Sequence, residues 1–239
     1  FGTTFNITYQ SSDNLEQDIT AALNGVDASL SMFNAKSTLA RINRGEITTA
    51  DNHLLYLLPK ALQVGEATEG AFDVTVAPLV NAWGFGFKHE QWPTDAVIDS
   101  LLQLVDFRSV SIEDRTIVRR NPNTTIDLSA IAKGYGTDIV ARTLDKAKVK
   151  NYMVEIGGEV VVKGANDKGE TWRIGIQNPQ RNNTTAGYME VLQLTDCAIA
   201  TSGNYRNFFV RDGVTYSHTI DPRTGYPATD RAEWERQLK

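Results

Sequence analysis

An α+β protein built from two interlocked units, each of helices plus antiparallel sheet, is the fold class predicted by the order of patterns along the chain. Three observations predict it. The apolar positions Leu15, Ile19, Leu23, Val26 and Leu30 recur at helical spacing near the start. A succession of short strand-like runs fills the chain after residue 150. No Gly/Ser linker or low-complexity stretch separates the two regions, so the units are interleaved rather than strung as beads.

The elements follow in order. Thr3 to Tyr9 alternates as a strand does, and Ser11 to Asp13 form a turn before the helix that starts at Leu15. The loop Ser31-Met32-Phe33-Asn34-Ala35-Lys36-Ser37 runs into a short helix that Ser37 caps. A second helix is expected from about Asp51 to Glu69, closed by Gly70 as its C-terminal cap. Phe72 to Gly86 mixes aromatic residues with glycines, a composition that either lines a flat ring or fills a core. Asp95 to Val105 reads as a modest helix, and Val110 to Arg119 as a hairpin around Glu113-Asp114. After the turn Asn121-Pro122-Asn123, a strand over Thr124 to Leu128 leads into a long helix ending near Val149. Strands are expected at Tyr152–Ile156, Glu159–Gly164, Trp172–Gln177, Gly187–Leu194, Ala198–Ser202, Asn207–Arg211 and Thr215–Ile220, with Gly157-Gly158 as a turn.

Composition narrows the function. The 239 residues suffice for a sizeable buried core, and 41% hydrophobic with 22% charged residues is ordinary for a globular protein. A net charge of −5 argues against a general nucleic-acid binder, and no apolar run approaches a membrane span. The single cysteine, Cys197, excludes an internal disulfide and a Cys-rich metal site, and its apolar setting predicts a buried, inert thiol. The chain opens at Phe1 without a starting Met, in what reads as the middle of a strand, so a processed segment is expected before it.

The most informative stretch is Thr124-Thr125-Ile126-Asp127-Leu128-Ser129-Ala130-Ile131-Ala132-Lys133-Gly134-Tyr135-Gly136. Ser129 is placed to cap the helix, and the two glycines in its first turns each cost about 1 kcal/mol relative to Ala. Helix N-terminal N–H groups attract phosphate, whereas Asp127 opposes it unless a cation intervenes. Phosphate with a metal is one reading. A capped helix whose glycines pack tightly on a sheet is the other, and the residues alone leave both open. An imidazole can take a hydroxyl proton near neutral pH, so His218 is the candidate general base, or else a histidine that positions its strand or binds a phosphate oxygen. Asp221-Pro222-Arg223-Thr224-Gly225 is read as a tight turn.

Several phrases then occur in a telling order: Gly2-Thr3, Arg41-Ile42-Asn43, Phe72-Asp73-Val74-Thr75-Val76-Ala77-Pro78 and Trp83-Gly84-Phe85-Gly86. They are followed by Asp127 to Tyr135, Glu155-Ile156-Gly157-Gly158-Glu159, Ala200-Thr201-Ser202-Gly203-Asn204-Tyr205 and Ser217-His218-Thr219-Ile220-Asp221-Pro222. Together they resemble the ApbE family of FAD:protein FMN transferases, along nearly the whole chain. The resemblance implies an α+β fold with a duplicated sheet-and-helix unit like the T-fold, and a single domain over residues 1–239. It implies an enzyme that uses FAD and a divalent cation, usually magnesium. Such an enzyme moves FMN through a phosphoester onto a Thr or Ser of a target flavoprotein and releases AMP. An FAD pyrophosphatase giving FMN and AMP, or a non-catalytic FAD-binding protein, are the alternatives.

By the same resemblance Phe1, Phe33, Ala71, Phe72, Asp73, Asp127, Lys133, Gly157, Gly158 and Ile220 line the FAD site. Ala130 offers its backbone oxygen to the metal, and His218 is the catalytic residue. Family members are commonly periplasmic or extracytoplasmic lipoproteins, which sets the expected location. The family also carries a C-terminal Ala-Asp-Ala-Leu-Ser-Thr-like segment that supplies metal ligands. The stretch from Thr229 to Lys239 contains no such phrase, so the metal site is expected to be incomplete in the sequence as it stands.

Overall fold

The computed structural model describes residues 2–86, 92–177, 187–203, 208–211 and 214–228. In chain order the elements begin with β1 (Phe5–Tyr9), α1 (Glu16–Leu30), α2 (Thr38–Asn43), α3 (Asn52–Ala67), α4 (Ala77–Ala82) and α5 (Asp95–Leu102). A 3-10 turn at Phe107–Ser109 precedes the hairpin β2 (Val110–Glu113) and β3 (Thr116–Arg119), and then comes α6 (Ser129–Lys146). The remainder is β4 (Tyr152–Ile156), β5 (Glu159–Lys163), β6 (Trp172–Gln177), β7 (Tyr188–Leu194), β8 (Cys197–Ile199), β9 (Phe208–Arg211) and β10 (Val214–Ser217). The chain divides into two units, each discontinuous: Phe1–Ser37 with Ser129–Gly203, and Thr38–Leu128 with Asn204–Lys239. The interleaving expected from the sequence is therefore present.

The first unit is organised by an antiparallel sheet of order β1-β4-β5-β8. Because side chains alternate along a strand, Tyr152, Val154 and Ile156 face one way. They pack there with Leu15, Ile19 and Leu23, and with Val140, Ala141 and Leu144 of α6. All five apolar positions predicted for α1 are buried. On the opposite face Val160 and Val162 pack with Trp172 of β6, whose indole N–H donates to the Lys163 carbonyl oxygen at 3.0 Å. Cys197 is half-buried rather than buried, because β8 is the edge strand of the sheet and has a neighbour on one side only.

In the second unit α3 starts at Asp51, whose carboxylate accepts the Leu54 N–H at 3.0 Å. Its left-handed exit begins one residue before the expected Gly70, at Glu69 (φ 51°), and the Gly70 N–H then closes on the Gly65 carbonyl oxygen at 2.9 Å. The β2–β3 hairpin forms as expected, but its turn is Asp114-Arg115, one residue beyond the expected Glu113-Asp114, because Glu113 pairs with Thr116; Asp114 is at φ 55°. Two elements differ from expectation. Ala77–Ala82 is a helix, with Pro78 near its N-terminus, in a stretch for which no helix is expected from the sequence. Residues 124–128 belong to no strand, although their Thr-Thr-Ile sequence favours one. In the first unit, α6 takes in Ser129 as its first residue instead of starting after it, and ends at Lys146.

Leu79, Trp83, Ile98 and Ile220 form a core cluster in the second unit. Gly225 closes over it: the indole N–H of Trp83 donates to its carbonyl oxygen at 2.8 Å, and its φ is +80°. A Cβ there would stand 2.5 Å from the Ile98 Cγ2. Gly225→Ala is accordingly expected to lower unfolding free energy by about 2–3 kcal/mol through strain and overlap. The neighbouring exposed change Thr224→Ala should stay within about 0.5 kcal/mol. Chemical denaturation of both variants is the check.

Candidate functional site

The candidate residues fall in both units, and each set has its own scaffold. In the first unit Lys133 lies on α6 four residues before Thr137, at the N-terminal end of the buried stripe that continues through Val140, Ala141 and Leu144. Its ammonium bonds Oε1 of Glu159 at 2.5 Å. Gly157 and Gly158 join β4 to β5 at φ 57° and 97°, as the predicted turn requires. The turn is tied down from both sides. The Gly157 N–H donates to the Thr4 carbonyl oxygen at 3.0 Å, and the Gly158 N–H to the Glu155 carboxylate at 2.7 Å. That carboxylate also accepts from the Asn6 side-chain amide at 2.8 Å.

Phe33 sits in a braced loop. The Ser31 hydroxyl oxygen accepts the Phe33 and Asn34 N–H groups at 3.3 and 3.1 Å, and the Asn34 amide donates to Asp27 of α1 at 3.1 Å. This brace presents the Phe33 ring, 76% exposed, where a core role would have buried it. Gly134 carries a further clue. A Cβ there would meet nothing within 4 Å, so tight packing on the sheet does not account for that glycine.

In the second unit the segment before α6 is held by side-chain bonds. The Asn43 amide donates to the Ile126 carbonyl oxygen at 2.8 Å and accepts the Ile126 N–H at 2.9 Å. One residue on, the Asp127 N–H donates to the Val74 carbonyl oxygen at 2.7 Å. Arg119 spans both ends, donating to the carbonyl oxygens of Asn43 at 3.1 Å and Thr124 at 2.7 Å. Burial pulls its guanidinium below the ordinary arginine value.

Asp73 is buried, and both of its carboxylate oxygens are engaged. One accepts the Thr75 N–H and hydroxyl, each at 2.6 Å, and the other accepts the Phe107 N–H at 2.9 Å. Its direct work is therefore to fix the loop against the 3-10 turn. It also lines a cleft of about 300 Å³ with Gly70, Asp106, Arg108 and Arg223. A wider groove of about 540 Å³, walled by Leu62, Phe107, Val110 and Ile112, contains none of the candidate residues. Ala71 and Phe72 continue the Asp73 loop, where the Phe72 N–H donates to the Thr68 hydroxyl at 3.1 Å.

His218 is half-buried, with its ring 6.3 Å from the Phe85 ring. Phe85 in turn lies 4.6 Å from Phe209, beside a group in which Trp92 and Tyr216 meet edge to face at 4.8 Å. The phrase Trp83-Gly84-Phe85 thus helps to wall in the histidine. Ile220 is a core residue and pairs with Pro227 as an isolated bridge, so a ligand contact there would fall to its backbone. The predicted turn at Asp221 is present. Asp221 takes a two-point ion pair from Arg223 at 2.8 and 2.9 Å, and the guanidinium hydrogen bonds hold its carboxyl below the usual range. Phe1 and the segment after Ala228 lie outside the described residues.

Among the described residues no group of three His, Cys, Asp or Glu side chains is placed to hold an ion. Ala130, in the first turn of α6, engages its carbonyl in the helix ladder and keeps one lone pair. Magnesium asks for about six oxygen ligands, so these residues do not complete a site. Sequence reasoning missed the roles of Asn43, Glu155 and Glu159. The one signal for Glu159 was its position in strand register with Val161, which aims a carboxylate at the helix-facing side.

Comparison with known proteins supplies a further line. The model of the ApbE family matches residues 1–233. An FAD:protein FMN transferase of Vibrio cholerae is 40% identical over 241 residues, covering 96% of this chain and 72% of that protein. A protein of the same name from Haemophilus influenzae is 36% identical over 243 residues, covering 95% and 70%. Among solved structures, the flavin transferase ApbE from Vibrio cholerae superposes with a TM-score of 0.84 at 38% identity, covering 97% of this chain and 76% of that one. The apo form of a Pseudomonas stutzeri flavinyl transferase ApbE gives 0.84 at 31%, covering 95% and 73%.

Gly134→Ala separates a glycine kept for folding from one kept for a ligand. The variant is expected to be more stable by about 0.5–1 kcal/mol, since Ala is the better helix former and meets no neighbour. FAD affinity, read by flavin fluorescence, is expected to fall about tenfold or more, a loss of about 1.4 kcal/mol. Unchanged affinity would show that no ligand approaches there.

Proposed function

The chain belongs to the ApbE family, and on that premise we propose that it transfers FMN from FAD to a target protein. The observation that carries this reading is the match along nearly the entire chain to proteins named FAD:protein FMN transferase. The finer points are part of the same proposal. The acceptor is a Thr or Ser hydroxyl of a target flavoprotein, the linkage is a phosphoester, and magnesium is required. A T-fold-like duplication of the sheet-and-helix unit rests on the resemblance. So does a working place outside the cytoplasmic membrane on a lipid anchor. Among the described residues no helix is long and apolar enough to cross a membrane.

In this reading the acceptor oxygen attacks the phosphorus on the FMN side of the pyrophosphate. The new P–O bond joins FMN to the acceptor, and the bond from that phosphorus to the bridging oxygen breaks. AMP leaves with the bridging oxygen. His218 takes the hydroxyl proton, a task suited to an imidazole near neutral pH. Transfers of this kind are governed by positioning and by stabilising charge on the phosphoryl oxygens. Lys133 supplies one fixed positive charge for this, and the first turn of α6 supplies N–H donors. Phe33, presented by its braced loop, is assigned to the isoalloxazine ring, on which an exposed aromatic stacks well. The Asp73 loop and the Gly157-Gly158 turn are assigned to the dinucleotide as backbone surfaces. Asp127 is assigned to the FAD site by its place two residues before α6.

The test is to incubate the protein with FAD, with and without magnesium, and with and without a Thr-bearing acceptor peptide. AMP release together with flavin covalently on the peptide, lost on chelation, is the expected result. His218→Asn should fold normally and lower the rate by about 10²–10⁴. AMP with an equal amount of free FMN and an unmodified peptide would make the protein a pyrophosphatase. Tight FAD binding without AMP would make it a binding protein.

A further inference from the structure

Glu159 has no role in the reading above, yet its surroundings are arranged around it. It opens β5 and shares the helix-facing side of the sheet with Val161 and Lys163. It is only 9% exposed, and its Oε1 meets the Lys133 ammonium at 2.5 Å. Among the described residues its other oxygen, Oε2, is buried without a protein donor. The preceding turn leaves a path for the lysine. A Cβ at Gly157 would stand 3.1 Å from Lys133 Cδ and 2.9 Å from the Thr3 hydroxyl oxygen, so a side chain there would press on the lysine stem.

A second lysine–carboxylate pair on the same side of the sheet shows what is unusual. Lys163 and Asp145 meet at 2.7 Å with their side chains 39% and 43% exposed, and the Tyr152 hydroxyl donates to the same Asp145 oxygen at 3.2 Å. That pair is a solvated strap between β5 and α6. The Lys133–Glu159 pair differs because its acid is buried while its base stays 35% exposed. A buried carboxylate with one oxygen unmatched is a poor choice for stability, since an apolar side chain of similar size does as well or better. What an apolar residue cannot do is hold an ammonium at a fixed point with its outer side open.

We propose that Glu159 is a positioning residue: it fixes the Lys133 ammonium at the start of α6, where that ammonium meets the phosphates of FAD. The proposal rests on the FMN-transfer reading for its ligand. Glu159 acts only through Lys133 and touches neither the FAD nor the acceptor.

The experiment is a double-mutant cycle of Glu159→Gln, Lys133→Met and the pair. AMP-release kinetics and FAD affinity by flavin fluorescence are read for each protein, and acylation of Lys133 by an amine-reactive reagent, followed by mass spectrometry, for the proteins that keep the lysine. Glu159→Gln is expected to lower kcat about tenfold or more with KM for FAD changed by less than about threefold, as for a contact made in the transition state. It should also speed acylation of Lys133. The double variant should be no slower than Lys133→Met alone. Glu159→Asp should recover part of the rate, and Glu159→Met, folded but apolar, should share the loss. Effects that multiply in the double variant, or acylation unchanged in Glu159→Gln, would overturn the proposal. If the unmodified protein releases no AMP, the transfer reading fails. The proposal is then judged on acylation: faster acylation of Lys133 in Glu159→Gln supports the positioning role, and unchanged acylation overturns it.

Discussion

The pair of hydrogen bonds between the Asn43 amide and the backbone of Ile126 is the constraint on which the arrangement of the second unit depends. Residues 124–128 are buried at Thr124, Ile126 and Leu128 yet have no strand beside them. Buried peptide groups left without partners cost about 1–3 kcal/mol each, so a segment of this kind survives only if partners come from elsewhere. One side-chain amide supplies both for Ile126, in the manner of a strand neighbour. Val74 and Arg119 supply partners for Asp127 and Thr124. The phrases Arg41-Ile42-Asn43 and Phe72-Asp73-Val74 are thus tied physically to the segment that leads into α6. Their joint presence in the sequence reflects one anchored backbone.

The first unit solves a different problem. It must place a lysine near a helix start without letting the ammonium wander into solvent. α6 sets the direction, the Gly157-Gly158 turn clears the path, and Glu159 receives the charge. Glycine is favoured at 157 on two counts, the left-handed φ and the closeness of the Thr3 and Lys133 side chains to the space a Cβ would take. A phosphate ligand would find the outer side of a fixed cation there, which is how a residue without bonds to the reacting atoms raises a rate.

Much of this was legible in the sequence, because the signals were local and periodic. The α1 stripe, the β4–β5 hairpin with its two glycines, the β2–β3 hairpin and the Asp221 turn all follow from residue spacing and turn chemistry. What escaped was set by distant partners. Residues 124–128 carry strand-forming side chains, but the Asn43 that satisfies them stands 83 residues before Ile126. Cys197 looked buried from its neighbours, yet edge position is a property of strand order and not of local composition. Lys133 was visible as a candidate. Its partner, 26 residues on, was visible only as a charge in a motif. Asp73 was named through the resemblance alone, and local composition gave no sign that its carboxylate would bond Thr75 and Phe107.

The most direct measurement is the intact mass of an acceptor protein after incubation with FAD, because it reports which half of the dinucleotide has been moved. The account predicts an acceptor heavier by an FMN phosphoester at a Thr or Ser, yellow after denaturation, with AMP as the free product in equal amount. An acceptor carrying the adenylyl half, with FMN released instead, would place the attack on the other phosphorus and contradict the account.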